Sequence, residues 1–286
     1  MFKDNNVTLR AITLTLLAML AFAGNSILCR LALKETEIDP ASFTGIRLAA
    51  GALTLWLIVR LRSGSSSGAG NWWSALALFA YAAAFSLAYV QLSAATGALL
   101  LFGAVQTSMI GYGLVRGERL GPLQWLGVAV AIIGLVVLLL PGLDAPPLGA
   151  ALWMLAAGVA WAVYSLRGRG AGDPTRVTAG NFIRALPFAA LFCLLLWPSR
   201  SLDQPGVLYA LLSGALASGV GYGLWYAALP LLATSTAATV QLSVPVITAI
   251  GGIVLLNEAL TLPLLIACAS ILGGIALVVL NHRKPA

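Results

Sequence analysis

Inside the apolar stretches of this 286-residue chain, the side chains able to do chemistry are aromatic or neutral-polar. Tyr81, Phe85 and Tyr89 follow one another at four-residue spacing and so share one face of a helix. Trp161 and Tyr164 form a second group, and Tyr222, Trp225 and Tyr226 a third. Tyrosine and tryptophan combine a flat apolar face with a hydrogen-bonding tip, which suits them to hold the apolar part of a small molecule. Asn25, Ser26, Gln106, Gln241 and Ser243 add amides and hydroxyls near the middle of their stretches. Pro245 removes one backbone hydrogen bond and frees a carbonyl there. An amide in hydrocarbon is costly unless paired, so these groups must face the protein interior. Two readings stand for every one of them: packing and helix-to-helix glue, or the lining of a cavity. The candidate cavity residues are Asn25, Tyr81, Tyr89, Gln106, Trp161, Tyr164, Tyr222, Trp225, Tyr226, Gln241, Ser243 and Pro245. Trp72, Trp73, Trp153 and Trp197 lie near the ends of stretches and read as an interfacial belt.

The acidic residues are Asp4, Glu35, Glu37, Asp39, Glu118, Asp144, Asp173, Asp203 and Glu258, and each falls in a tail or a connection. The single histidine, His282, is in the carboxy-terminal tail. Coupling to protons through a side chain places an ionisable group deep in the bilayer, and no carboxylate is expected there. Uniport or exchange is therefore favoured, and Na⁺ coupling through backbone carbonyls stays open. No HExxH, no GxSxG and no paired intramembrane carboxylates occur, so neither catalytic residues nor metal ligands are assigned, no cofactor is implied, and an enzyme is disfavoured. Arg47 and Arg184 lie one to two turns inside apolar stretches. A guanidinium there can bind a carboxylate, but snorkelling to opposite membrane faces is the expectation.

The elements that must position these groups follow from composition. The chain is 60% hydrophobic, has a mean hydropathy of +0.96 and carries charge on only 9% of its residues, too little to cover a soluble surface. Apolar runs near the roughly 20 residues needed to cross a bilayer recur throughout, and they are continuous rather than alternating, which argues against a β-barrel. Ten spans are predicted: 9–33, 42–61, 72–92, 95–114, 123–140, 149–166, 177–197, 207–231, 235–256 and 262–280. No connection is long enough for a soluble domain. The first span follows a short polar start with no small-residue cleavage site and is expected to be retained. Cys29, Cys193 and Cys268 lack CxxC spacing and read as packing residues. Net charge is +7, but lysine and arginine sit singly or in pairs at span ends, so nucleic acid is not an expected partner. With the amino terminus inside, Lys3, Arg10, Arg60, Arg62, Arg116, Arg119, Arg167, Arg169, Arg176, Arg283 and Lys284 fall on the inner side, against Arg30, Lys34 and Arg200 outside. That bias predicts an inner-membrane protein with both termini cytoplasmic.

Two charged corners reveal internal order. "RGERLGPLQWLG" and "LNEALTLPLLIA" align at an offset of 140, which sets Glu118 opposite Glu258 and Gly134 opposite Gly274. Ala95-Thr96 then meets Ser235-Thr236, and earlier in each half Ile46-Arg47 meets Ile183-Arg184 at an offset of 137. Five spans plus five, residues 1–142 and 143–286, make an all-α protein of two inverted repeats, because an odd number of spans turns the second copy over. Inverted repeats characterise secondary transporters that work by alternating access. Each half finds its partner within the chain, so a monomer is the expected unit. Glu118 should sit with Arg116 and Arg119 at the cytoplasmic face, and Glu258 at the opposite face without arginine neighbours. Gly214xxxSer218 and Ser270xxxGly274 read as close-packing motifs.

These corners, with "SVPVITAIGGIVLLNEAL" (243–260) and "NSILCRLAL" (25–33), resemble the drug/metabolite transporter superfamily and its ten-span EamA-type members over essentially the whole chain. The resemblance implies a central cavity lined by spans one, three, four, six, eight and nine, with five and ten as scaffold. It also implies export of amino acids or related metabolites, and the aromatic groups make the chain look like the YddG-type aromatic amino acid exporters. A multidrug or organic-cation exporter is one rival, and it would call for a negative cavity. A small-solute channel or lipid flippase is the other.

Overall fold

The computed structural model describes residues 2–62, 68–117, 119–139, 145–168, 171–232 and 240–280, with side chains from residue 9 onward. Among them no strand occurs, and the helices are α1 (Phe2–Glu35), α2 (Pro40–Leu61), α3 (Trp72–Tyr89), α4 (Ala94–Val115), α5 (Pro122–Leu139), α6 (Leu148–Gly168), α7 (Pro174–Leu195), α8 (Gln204–Leu231), α9 (Ser243–Leu256) and α10 (Leu262–Leu280). All but α9 are long and apolar enough to cross a bilayer. Side chains such as Leu16, Leu53, Ile133, Leu194, Val254 and Leu262 point outward, as lipid-facing residues of a multi-pass membrane protein do. The predicted start of span nine, 235–239, lies outside the described residues, as do Glu118 and His282. Span three is shorter than predicted: it stops at Tyr89, and a turn closed by Leu92 N–H on the Ala88 carbonyl leads into α4.

Several polar residues read as connection residues start the helices. Asp39 Oδ1 accepts from the backbone of Ala41 and Ser42, Asp173 from Arg176, Asn71 from Ser74 and Ser93 from Thr96. Each satisfies amides that the first helical turn leaves without partners, and Pro40 and Pro174 follow their caps directly.

α8 is not uniform. It is α-helical to Leu212, π-helical over Ser213–Val220, α-helical again to Ala228, and ends in a tight turn at Leu229–Leu231 around Pro230. The Gly221 N–H reaches the Leu216 carbonyl, five residues back. π-turns of this kind are uncommon and rotate the residues after them relative to those before.

Helix pairings come in matched sets. α5 lies along α10, α2 along α7 and α4 along α9; α3 on α6 is mirrored by α8 on α1, α4 on α6 by α9 on α1, and α3 on α7 by α8 on α2. α5 and α10 approach closely, so that a methyl group added to Gly127 would strike the Gly274 backbone and one added to Gly274 would strike that of Gly127. The two glycines thus set the spacing of the scaffold pair. Gly273, next door, faces open space. We expect Gly274→Ala to lower the melting temperature of the detergent-solubilised protein, a cost of about 1–3 kcal/mol for overpacking. Gly273→Ala should stay within ~0.5 kcal/mol of the parent; equal effects at both positions would refute the backbone contact.

Candidate functional site

A cavity of ≈ 50 Å³ lies among the middles of the helices. α1 contributes Phe22, Asn25 and Ser26, α2 Arg47, α3 Tyr81 and Phe85, α4 Leu101, Phe102 and Val105, α6 Trp161, and α8 Ala217, Ser218 and Tyr222; Gln241, just before α9, completes the lining. A larger depression of ≈ 110 Å³ sits between α4, α5 and α10, but its lining is apolar apart from Thr107 and offers nothing to orient a polar solute. The central cavity is the candidate site because aromatic and polar groups converge there.

Glycines build it. A methyl group at Gly214 would strike the Arg47 carbonyl, one at Gly219 the Thr54 side chain, and one at Gly51 the Phe182 ring. Small residues on the π-helical part of α8 therefore let α2 lie almost backbone to backbone against it. That approach brings Arg47 Nε to 3.5 Å from Ser218 Oγ. The same stretch aims Ser213 Oγ at Asn25 Oδ1, 2.7 Å away. Asn25 Nδ2 then donates to Tyr81 Oη at 3.4 Å, and Arg47 Nη2 donates to that same oxygen at 3.3 Å. A continuous polar chain, Ser213–Asn25–Tyr81–Arg47–Ser218, thus runs along one wall.

The rest of the wall is aromatic. The Trp161 ring packs on Tyr81 at 4.8 Å between centroids, on Tyr164 at 5.4 Å and, nearly parallel, on Tyr222 at 5.6 Å. Tyr222 continues to Tyr226, whose hydroxyl accepts from Thr178 Oγ1 at 3.2 Å, and Tyr164 donates to that same Thr178 at 3.4 Å.

Of the residues singled out in the sequence, Asn25, Tyr81, Trp161, Tyr222 and Gln241 line the cavity. Tyr164 and Tyr226 stand behind Trp161 and Tyr222 as a second layer. Tyr89 shares a face with Tyr81 and Phe85 but lies two turns on, fully buried, its hydroxyl donating to the Ala94 carbonyl and its ring filling the space above Gly97. Trp225 points away, against Phe22, Ala18, Met19 and Val244. Gln106 is half-buried on α4, one residue beyond the lining Val105. Ser243 Oγ turns back on the Val240 carbonyl, and Pro245 is buried in the first turn of α9, where the helix has been broken at Leu242.

Two expectations about charged residues are overturned. Arg47 does not snorkel: it is 3% exposed, and its neighbours Tyr81, Phe85 and Ser218 hold it inward. Arg184 does reach outward, to the carbonyls of Ala69 and Gly180. Glu258 does have an arginine neighbour. Arg30, near the end of α1, places Nε 3.2 Å from Glu258 Oε1 while its Nη1 donates to the carbonyls of Tyr89 and Val90. Glu258 Oε2 accepts from Ala94 N–H at 2.8 Å, and Asn257 takes a left-handed conformation to aim the corner inward. This tie joins α1, the α3–α4 turn and the α9–α10 corner at one end of the bundle. At the other end, Arg62 donates to Thr175 at 2.9 Å, Asn71 N–H to Asn181 at 2.9 Å, and Arg167 to Ser74 and Asn71 at 3.3 Å each. Polar ties thus join the helices at both ends of the bundle.

A family model described as "EamA-like transporter family" matches this chain twice, over residues 9–140 and 148–280. The chain belongs to the EamA-like transporter family. An uncharacterized protein of Pseudomonas aeruginosa, PA1977, is 58% identical over 270 residues, 94% of each chain. The threonine/homoserine exporter RhtA of Salmonella typhimurium is 34% identical over 175 residues, 57% of each chain. An uncharacterized transporter of Archaeoglobus fulgidus is 27% identical over 85% of this chain and 88% of its own. A solved crystal structure superposes with a TM-score of 0.67 over 98% of this chain and 99% of that one, at 23% identity, a likeness of fold alone.

In this EamA-like transporter, sequence reading missed α2 as a wall of the cavity and Arg30 as the partner of Glu258. A charge at the edge of a span marks depth but not direction, and only the glycine pattern of α8 hinted that α2 would be pressed inward. The Arg30–Glu258 side chains are 10% and 9% exposed, so removing one partner strands a buried charge. Glu258→Met should cost about 3–5 kcal/mol of stability, and the double variant Arg30→Met/Glu258→Met should regain part of it. Thermal melting of the parent, of Glu258→Met, of Arg30→Met and of the double variant checks this; a double variant as unstable as the sum of the singles would refute the pairing.

Proposed function

We propose that this protein is a secondary transporter of the inner membrane, with both termini cytoplasmic, that exports amino acids or related metabolites, aromatic and large apolar ones favoured. Two inverted five-helix repeats, residues 1–142 and 143–286, rock against each other around the central cavity. The double match of the family model and the mirrored helix pairings support the repeat; the printed activity of RhtA and the aromatic, neutral-polar wall support the substrate class. The observation that carries the reading is the cavity itself: midway along the helices and lined by aromatic and polar side chains from both halves. A cavity needs roughly 10–15 Å³ by this measure for each water, so ≈ 50 Å³ admits a few waters and no amino acid. Admitting an amino acid therefore requires the helices around the cavity to move apart. Every described carboxylate lies at a helix end or a connection, which favours uniport or exchange over a carboxylate proton relay.

Purified protein in liposomes loaded with labelled phenylalanine, threonine or methionine tests the reading. Efflux should saturate, accelerate when unlabelled amino acid is placed outside, and be unchanged by an imposed pH gradient. Unsaturable flux would make the protein a channel, and flux that follows the gradient would restore proton coupling. Trp161→Ala or Tyr222→Ala should shift the phenylalanine-to-threonine preference by about tenfold, equivalent to ~1.4 kcal/mol. Trp225→Ala should lower stability and leave the preference alone, because its ring packs between α1 and α9.

A further inference from the structure

Among the described residues, Arg47 is the one charged side chain lining the cavity. Its guanidinium donates through Nη2 to Tyr81 and through Nε to Ser218, both neutral oxygens, while buried Nη1 has no hydrogen-bond partner among the described residues. Cζ lies over the Phe85 ring at 5.1 Å and over the Tyr81 ring at 5.4 Å from their centres, and Arg47 borders the cavity beside both. No described carboxylate pairs with it; the three ion pairs all lie elsewhere. A guanidinium cannot shed its proton to escape the cost of burial. A buried cation with a vacant donor and no counter-ion is half of a charge-assisted pair, and the fork of an arginine matches a carboxylate better than any other common anion of its size.

We propose that Arg47 is the carboxylate anchor of the transport site. The carboxylate of an α-amino acid or a related organic acid sits against Nη1, and Tyr81 Oη stands beside it. That oxygen accepts from both Asn25 and Arg47, so its own proton is left to donate to the carboxylate. Trp161 and Tyr222 take the apolar side chain. The site holds no anion for the amino group, whose partners are neutral oxygens and ring faces. The carboxylate is therefore required and the amine is not, and simple organic cations are repelled. This assignment rests on the amino acid reading above for its choice of substrate, but it makes a narrower claim about one functional group.

The test uses intact protein and five probes: L-phenylalanine, L-threonine, 3-phenylpropionate, L-phenylalaninamide and 2-phenylethylamine. Thermal stabilisation and competition against labelled phenylalanine efflux are read for the parent and for Arg47→Met. Methionine fills similar volume without the charge, and such replacements of buried ions are usually tolerated. The three carboxylates should bind the parent, and the amide and the amine should not. Arg47→Met should weaken carboxylate binding about 10- to 100-fold, the worth of a charged hydrogen-bonded contact. Arg47→Lys, which keeps the charge but not the fork, should fall between.

Phenylalanine efflux unchanged in Arg47→Met would overturn the anchor and leave the amino acid reading standing. Binding of 3-phenylpropionate that is lost in Arg47→Met, without any phenylalanine efflux, would uphold the anchor and remove the amino acid reading. Equal binding of acid and amide by the parent would overturn the anchor with no variant needed, as would failure of all three carboxylates to bind.

Discussion

A guanidinium held in the interior of a membrane bundle without an anion beside it is the costliest arrangement in this molecule. Arg47 is tolerated because α2 is pressed against α8 at a run of glycines, where Ser218 and Tyr81 meet two of its nitrogens and its Cζ lies over the rings of Tyr81 and Phe85. That approach depends in turn on the π-helical stretch of α8, which also sends Ser213 to Asn25. Backbone irregularity, small residues and the polar wall are thus one construction. Substituting a larger residue at Gly214 would push α2 away and strand the arginine and the amide together.

The two ends of the bundle use a different economy. Polar groups there are close to water or headgroups, and each tie combines an ionic or amide side chain with backbone groups of a neighbouring turn. Glu258 serves a cap-like role toward Ala94 while balancing Arg30, so that neither its charge nor the start of α4 is left unsatisfied. Because the partners come from far apart in the chain, each tie can be broken as a unit without unwinding any helix.

Much of the fold was legible in the sequence because hydropathy and span length have one dominant reading in a bilayer. The ten apolar segments follow from that constraint, and the Ser270xxxGly274 packing motif is where α10 meets α5. The site was legible in part. Tyr81, Trp161, Tyr222, Asn25 and Gln241 were found because a mid-span aromatic or amide must face protein or pay for exposure. Tyr89 and Trp225 lie off the cavity lining: Tyr89 shares the face of Tyr81 two turns too far along, and Trp225, three residues after Tyr222, packs against α1 and α9 instead. Arg47 was misread because position along a helix says nothing about direction around it, and its flexible stem fits an outward pose equally well. Glu258 was misread because its partner is 228 residues away in the chain.

The unbalanced charge of Arg47 also bears on the membrane as an insulator. A pathway that opens to either side in turn must not pass protons or Na⁺, or the cell loses the gradients it lives on. A monovalent cation 6 Å from a fixed guanidinium, in surroundings with an effective dielectric constant of about 20, meets a repulsion of ~3 kcal/mol. On the transport reading proposed above, that is about a hundredfold disadvantage beside the central cavity. The side chain that makes the cavity expensive to build thereby makes it tight to cations.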